Sequence, residues 1–224
     1  MGTHLAFGTA RRLLAIVVVT LSVIVLQRAV VSAQSLSAAE RRAQINRIID
    51  GLNSADPATR IATLEQATRS KDLNLRHIAL STAFASSDGD LRSAALLAAV
   101  GSTPALAVEI VSELPGAYGN TYRNVAQATG SVLEIRISNF QRDSGTFQVS
   151  SRFASANRLT NQPASGGTVS GERISFSVPL NTVGMQCVGS AQLQDTGSTL
   201  VGSMGCSTSN NITETYNIKI GVLR

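Results

Sequence analysis

The chain has no tryptophan, only two cysteines and two histidines in 224 residues, and 15% charged residues. Each scarcity removes a class of chemistry. One histidine, His4, lies near the N-terminus, which leaves His77 as the single imidazole of the chain body. Two cysteines and one histidine do not make the usual four-ligand zinc site without carboxylates. Catalysis by a serine or cysteine nucleophile needs a base within reach, and no G-x-S-x-G elbow, S-x-x-K or G-x-x-x-x-G-K-[ST] loop occurs. Neither cofactor nor metal is expected, and the chain reads as non-catalytic. Basic runs are equally scarce. Beyond Arg41-Arg42 no cluster stands out, so the net charge of +5 gives no nucleic-acid surface.

There is also no apolar run of spanning length. Leu13–Leu26 is an uncharged stretch of 14 residues, short of the roughly 20 a spanning helix needs. It follows Arg11-Arg12 and precedes Val31-Ser32-Ala33, small residues suited to a cleavage site. That order is the order of a secretory signal. Residues 1–33 are therefore expected to be a cleaved signal peptide, with a membrane anchor over 13–26 as the alternative, and the location periplasmic or secreted. No cysteine stands at the cleavage site for a lipid anchor, and Ala6 replaces the Ser or Thr of a myristoylation signal. Without residues 1–33 the net charge falls to +2.

What is present changes character near residue 116. Before it Ala and Leu dominate; after it Ser, Thr, Gly and Val. A helical half followed by a strand half predicts an α+β protein, with a helical domain over 34–116 and an antiparallel β domain over 117–224. Ser37-Ala38-Ala39-Glu40 is a capping box, followed by Ile45, Ile48, Ile49 and Leu52 on one face. Asp56-Pro57 supplies a cap and a proline at the first helical position. Thr103-Pro104 predicts the same for a last helix ending at Leu114, before Pro115-Gly116.

Three segments recur at an interval of 16: Asp56 to Leu64, Asp72 to Leu80, and Asp88 to Leu96. Asp56, Asp72 and Asp88 are each set to cap a helix. Arg60, Arg76 and Arg92 follow four residues on, within side-chain reach of the aspartate. Each leucine falls on the expected buried stripe. His77 lies on Leu73, His77, Leu80, Phe84 and is expected to be packed. Asp88 and Asp90 are explained by capping rather than by a calcium loop. The D-x-x-x-R-x-x-x-L pattern over about residues 56–100 resembles the HEAT-type helical repeats, although its interval holds one helix, not two. That resemblance implies a stacked array binding a protein partner. A five-helix bundle is the alternative.

Period-two alternation marks the second half. Leu133, Ile135 and Ile137 alternate with polar residues, as do Phe147 and Val149, Ile174 to Val178, and Tyr216 to Val222. Turn signals at Asp143-Ser144-Gly145, Ser165-Gly166-Gly167, Ser170-Gly171-Glu172 and Asp195 to Ser198 predict six or seven antiparallel strands, in a small barrel or a sandwich. The five carboxylates of this half, Glu134, Asp143, Glu172, Asp195 and Glu214, read as lying at turns or on polar faces. The Gly-punctuated run from Gly167 to Met204 resembles the meander of lipocalin-like and avidin-like barrels over residues 131–222, without their frequent tryptophan. That resemblance implies a small apolar or peptide ligand. Asn211-Ile212-Thr213 matches a glycosylation sequon.

The two cysteines sit in one hairpin. With its turn at Thr196-Gly197, Leu193 faces Leu200 and Cys187 faces Cys206, which predicts a disulfide. The same register puts Gly189, Ala191, Gly202 and Met204 with Leu193 and Leu200 on the cysteines' face, the candidate cavity lining. The functional expectation is an exported protein-interaction or envelope accessory protein. A ligand-binding barrel and an inhibitor or immunity-type protein are the alternatives.

Overall fold

The computed structural model describes residues 37–113, 132–152, 165–180, 185–195, 197–208 and 213–223. The segment expected to be a signal peptide, the Pro115-Gly116 stop and most of the sequon lie outside them. The chain divides into two compact units, residues 1–44 and 45–224. The described part of the first is the start of α1 (Ala38–Leu52). There the capping box forms: the Ser37 N–H donates to Glu40 Oε2 at 2.8 Å, and the Glu40 N–H to Ser37 Oγ at 3.2 Å.

Within the second unit, α1 is followed by α2 (Pro57–Thr68), α3 (Leu73–Phe84) and α4 (Gly89–Ser102). Asp56, Asp72 and Asp88 are the N-caps of α2, α3 and α4, each accepting from the second and third helical N–H groups. These are the orphan donors every helix start must satisfy. Leu64, Leu80 and Leu96 are all buried, as the 16-residue interval predicts. Helix α4 is apolar on most of its circumference: Leu91, Ala95, Leu96, Ala98, Ala99 and Val100 are all buried. A helix that is hydrophobic nearly all round is enclosed on both sides. Here one core runs from α2 and α3 through α4 into the sheet.

The last helix expected over 103–114 does not form among the described residues. Residues Ala105–Glu113 form strand β1, so the helical part ends at Ser102, not at 116. β1 is followed by β2 (Val132–Gln141), β3 (Thr146–Arg152), β4 (Ser165–Ser170), β5 (Arg173–Leu180), β6 (Met185–Leu193), β7 (Thr199–Thr208) and β8 (Thr213–Gly221). All neighbours are antiparallel, and β1 pairs with both β2 and β8, closing an eight-stranded barrel. Closure leaves no exposed edge, which decides between the barrel and the sandwich. It also explains β1: Leu106, Val108 and Ile110 alternate into the core, and partners on both sides override the helix preference of Ala and Leu. Ser165-Gly166-Gly167 is the start of β4, not a turn.

Helix α4 lies across one end of the barrel, at the hairpin turns. The Gly145 and Gly171 turns have φ of 65° and 58°, where glycine is at ease. Asn139 (φ 50°) stands at a register shift in β2. After it, the Phe140 ring covers Gly101 of α4, where any added Cβ would fall 2.7 Å from the ring.

The caps also tie the helices together. The Arg60 guanidinium does not turn back to Asp56 at ion-pair distance. Its Nε and Nη2 reach Asp88 Oδ2, two repeats on, at 2.8 and 2.6 Å. That hydrogen bond comes first among the causes holding the Asp88 carboxyl below its ordinary value; the Leu91 and Asp90 N–H groups add to it, against desolvation. A carboxyl lowered in the folded state stabilises above its unfolded pKa, about 3.9. The contribution is lost as pH falls through the lower folded value. The thermal midpoint is thus expected to drop below about pH 4, and less steeply in Asp88→Asn, which keeps a cap acceptor and loses the ion pair. Equal acid slopes for parent and variant would show that the pair contributes nothing.

Candidate functional site

Two places in the second unit gather the predicted residues: a cleft where the helices meet the barrel, and the barrel interior.

The cleft has a volume of about 360 Å³ and is lined from α3 by Leu73, Asn74, Arg76, His77 and Leu80. The end of α4, the start of β1 and the residues after β8 supply its other wall, through Ala99, Ser102, Thr103, Ala105 and Val222. The stripe expected on α3 is therefore corrected at its first two positions. Leu73 is 72% exposed and His77 is exposed. Leu80 and Phe84 of that stripe are buried as expected, and Leu75, Ala79 and Ala83 complete the buried face. Two of these five buried residues are alanines, which a pattern sought among large residues passes over. Arg76 is the rung of the ladder that faces the cleft. Ser102 and Thr103 hydroxyls both donate to the Ala99 carbonyl, at 3.0 and 2.9 Å.

The third rung, Arg92, is only 7% exposed. It leaves its own helix repeat and crosses to the barrel. Nη1 donates to Asp195 O at 2.8 Å, and Nη2 to Gln194 O at 2.7 Å and Glu172 Oε2 at 3.2 Å. Nε lies 3.0 Å from Glu172 Oε1, an ion pair by distance. One guanidinium thus fastens two hairpin turns to α4.

In the barrel, the β6–β7 register is the expected one along its length: Leu193 faces Leu200, Ala191 faces Gly202, Gly189 faces Met204, and Cys187 faces Cys206. The cysteine sulfurs stand 2.03 Å apart, a disulfide. The six candidate lining residues do share the interior face, but it is occupied by neighbouring groups. A Cβ on Gly189 would fall 2.3 Å from the Phe176 ring, and one on Gly202 would fall 2.0 Å from the Ser190 carbonyl oxygen. At Gly167 the Phe147 ring stands 2.3 Å away in the same sense. Small residues here are sockets for rings and close backbone, as dense interior packing requires.

Four of the five carboxylates of this half lie as expected. Glu134 stands beside Arg136 at 3.4 Å, Asp143 and Asp195 are exposed at turns, and Glu172 meets Arg92. Glu214 does not: it points into the barrel and is 1% exposed. Its Oε2 accepts a hydrogen bond from the Tyr216 hydroxyl, while Oε1 is buried with no hydrogen-bond partner among the described residues. The signal was in the sequence, since Glu214 has the parity of Tyr216, Ile218 and Ile220. Among the described residues, no three His, Cys, Asp or Glu are grouped to hold a metal ion. No helix among them is long and apolar enough to cross a membrane.

The molecule is thus an α+β protein: four described helices, the last laid across one end of a closed antiparallel barrel clipped by a disulfide. No family model and no curated protein matches the chain. Among solved structures, the chain is similar to secretory abundant heat soluble protein 4 from Ramazzottius varieornatus, at 10% identity and a TM-score of 0.24, covering 51% of this chain and 91% of that one. A likeness of that extent says nothing about activity.

Proposed function

We propose that this chain is an exported, non-catalytic binding protein, an envelope accessory whose HEAT-like helices present the junction cleft to a protein partner. The observation that carries the reading is Leu73. A leucine 72% exposed at the rim of a cleft of about 360 Å³, beside Arg76 and His77, is an apolar anchor next to a cation. The complementary partner is a protein segment with an apolar side chain beside an acidic one. Export is supported by the signal-like N-terminus and by the buried disulfide, which persists in oxidising compartments. An inhibitor or immunity-type role would use the same surface.

The test is a double variant, Leu73→Glu with Arg76→Glu, at positions that contribute little to the core. The wild-type chain, cross-linked in envelope extract, is expected to capture a defined partner. The variant is expected to lose it while its melting curve stays unchanged. Capture that is the same for both chains, or absent from both, overturns the reading.

A further inference from the structure

Glu214 lies in an interior layer near the barrel end away from α4, one register step inside the pairs Leu180–Met185 and Met185–Thr208. It stands opposite Cys206, which stands opposite Cys187, which stands opposite Val178. The next layer holds Tyr216 across from Met204, then Gly189 with the Phe176 ring over it. These side chains are buried and form a floor beneath the carboxylate. A buried carboxylate oxygen without a donor is costly, and a barrel has no structural need of it at a position where Val or Leu would pack. The carboxylate is nevertheless held in place, since the Tyr216 hydroxyl fixes one oxygen and leaves the other unengaged.

We propose that Glu214 is the counter-ion of a binding site for the primary ammonium group of a small alkylamine, held in this interior layer of the barrel. Two features select that chemistry. A cation satisfies the oxygen and neutralises the charge together, which a neutral donor does not. A single unengaged oxygen suits the point donor of an ammonium. A guanidinium gains its advantage from two parallel hydrogen bonds, and Tyr216 holds the second oxygen. The floor of Tyr216, Met204 and Phe176 limits the ligand to a short apolar tail. Val178 and the disulfide supply apolar walls for it. This site is separate from the helix–barrel cleft and does not depend on it.

The test titrates the full chain with n-butylamine at neutral pH, where it is the ammonium ion, with n-butanol and butyrate as matched controls. Binding is followed by the ring resonances of Tyr216 and by calorimetry. Butylammonium is expected to bind and to shift the Tyr216 signals, while the two controls do not. Glu214→Gln, of the same shape, is expected to weaken binding about tenfold or more with no loss of melting temperature. Should that variant fail to fold, Tyr216→Phe decides. Freeing the second oxygen is expected to keep ammonium binding and to add binding of a butylguanidinium that the wild type excludes. No butylammonium binding, equal binding of butanol, or full binding by Glu214→Gln overturns the proposal. So does a folded Tyr216→Phe chain whose discrimination between the two cations is unchanged.

Discussion

Replacing Arg92 with alanine is expected to lower the unfolding free energy by about 3–5 kcal/mol, the cost of removing one partner from a buried charge network. The guanidinium is the sole group seen to bond Gln194 O, Asp195 O and the Glu172 carboxylate at once. Its removal strands two backbone carbonyls and a carboxylate whose side chain is only 24% exposed. It also opens a hole between α4 and the turns. Arg92→Lys is expected to fall between parent and alanine, because one ammonium on a flexible stem does not span three acceptors in fixed directions. Urea denaturation of parent and both variants measures this. A loss under about 1 kcal/mol for the alanine variant would mean that core packing alone holds α4 to the barrel.

Replacing both Cys187 and Cys206 with alanine is expected to cost about 3 kcal/mol, from the freedom the unfolded chain regains when a loop of this size is no longer closed. The cysteines are 19 residues apart in sequence. For a chain of this length that is roughly 6–12 °C in the thermal midpoint. Both cysteines are fully buried. Reductant added to the folded protein is therefore expected to act at the rate at which the barrel opens, and much faster in denaturant. A double variant as stable as the parent would show that the β6–β7 pairing already confines the unfolded chain. Rapid reduction of the folded form would show that this end of the barrel opens readily.

The features legible in the sequence share a short range. The N-caps at Asp56, Asp72 and Asp88 depend on N–H groups two and three residues away. The cysteine register depends on one turn and on strict alternation along two strands. Both are local physics, and both appear where the residues place them. The parity of Glu214 points equally into the barrel, but carboxylates are seldom buried, and that expectation favours a polar face. The helix predicted over 103–114 fails for a different reason. Thr103-Pro104 and the following Ala and Leu are a fair helix start. No local signal shows that β2 and β8 stand on either side with open hydrogen-bonding edges.

The sequence by itself determined an α+β chain with three capped helices at a 16-residue interval, a Gly-punctuated antiparallel meander, and the pairing of its two cysteines. Each rests on hydrogen bonds between near neighbours or on the two fixed side-chain periods of helix and strand. Only the tertiary structure decided that the sheet closes, that Arg60 reaches Asp88 and Arg92 reaches Glu172, and that rings fill the space over Gly167 and Gly189. It alone decided that α3 turns His77 outward. Those outcomes join residues 28 and 80 positions apart for the two arginines. A long flexible side chain or a ring goes to whatever acceptor or gap the packed core brings near, and that neighbour is not written in its own stretch of chain.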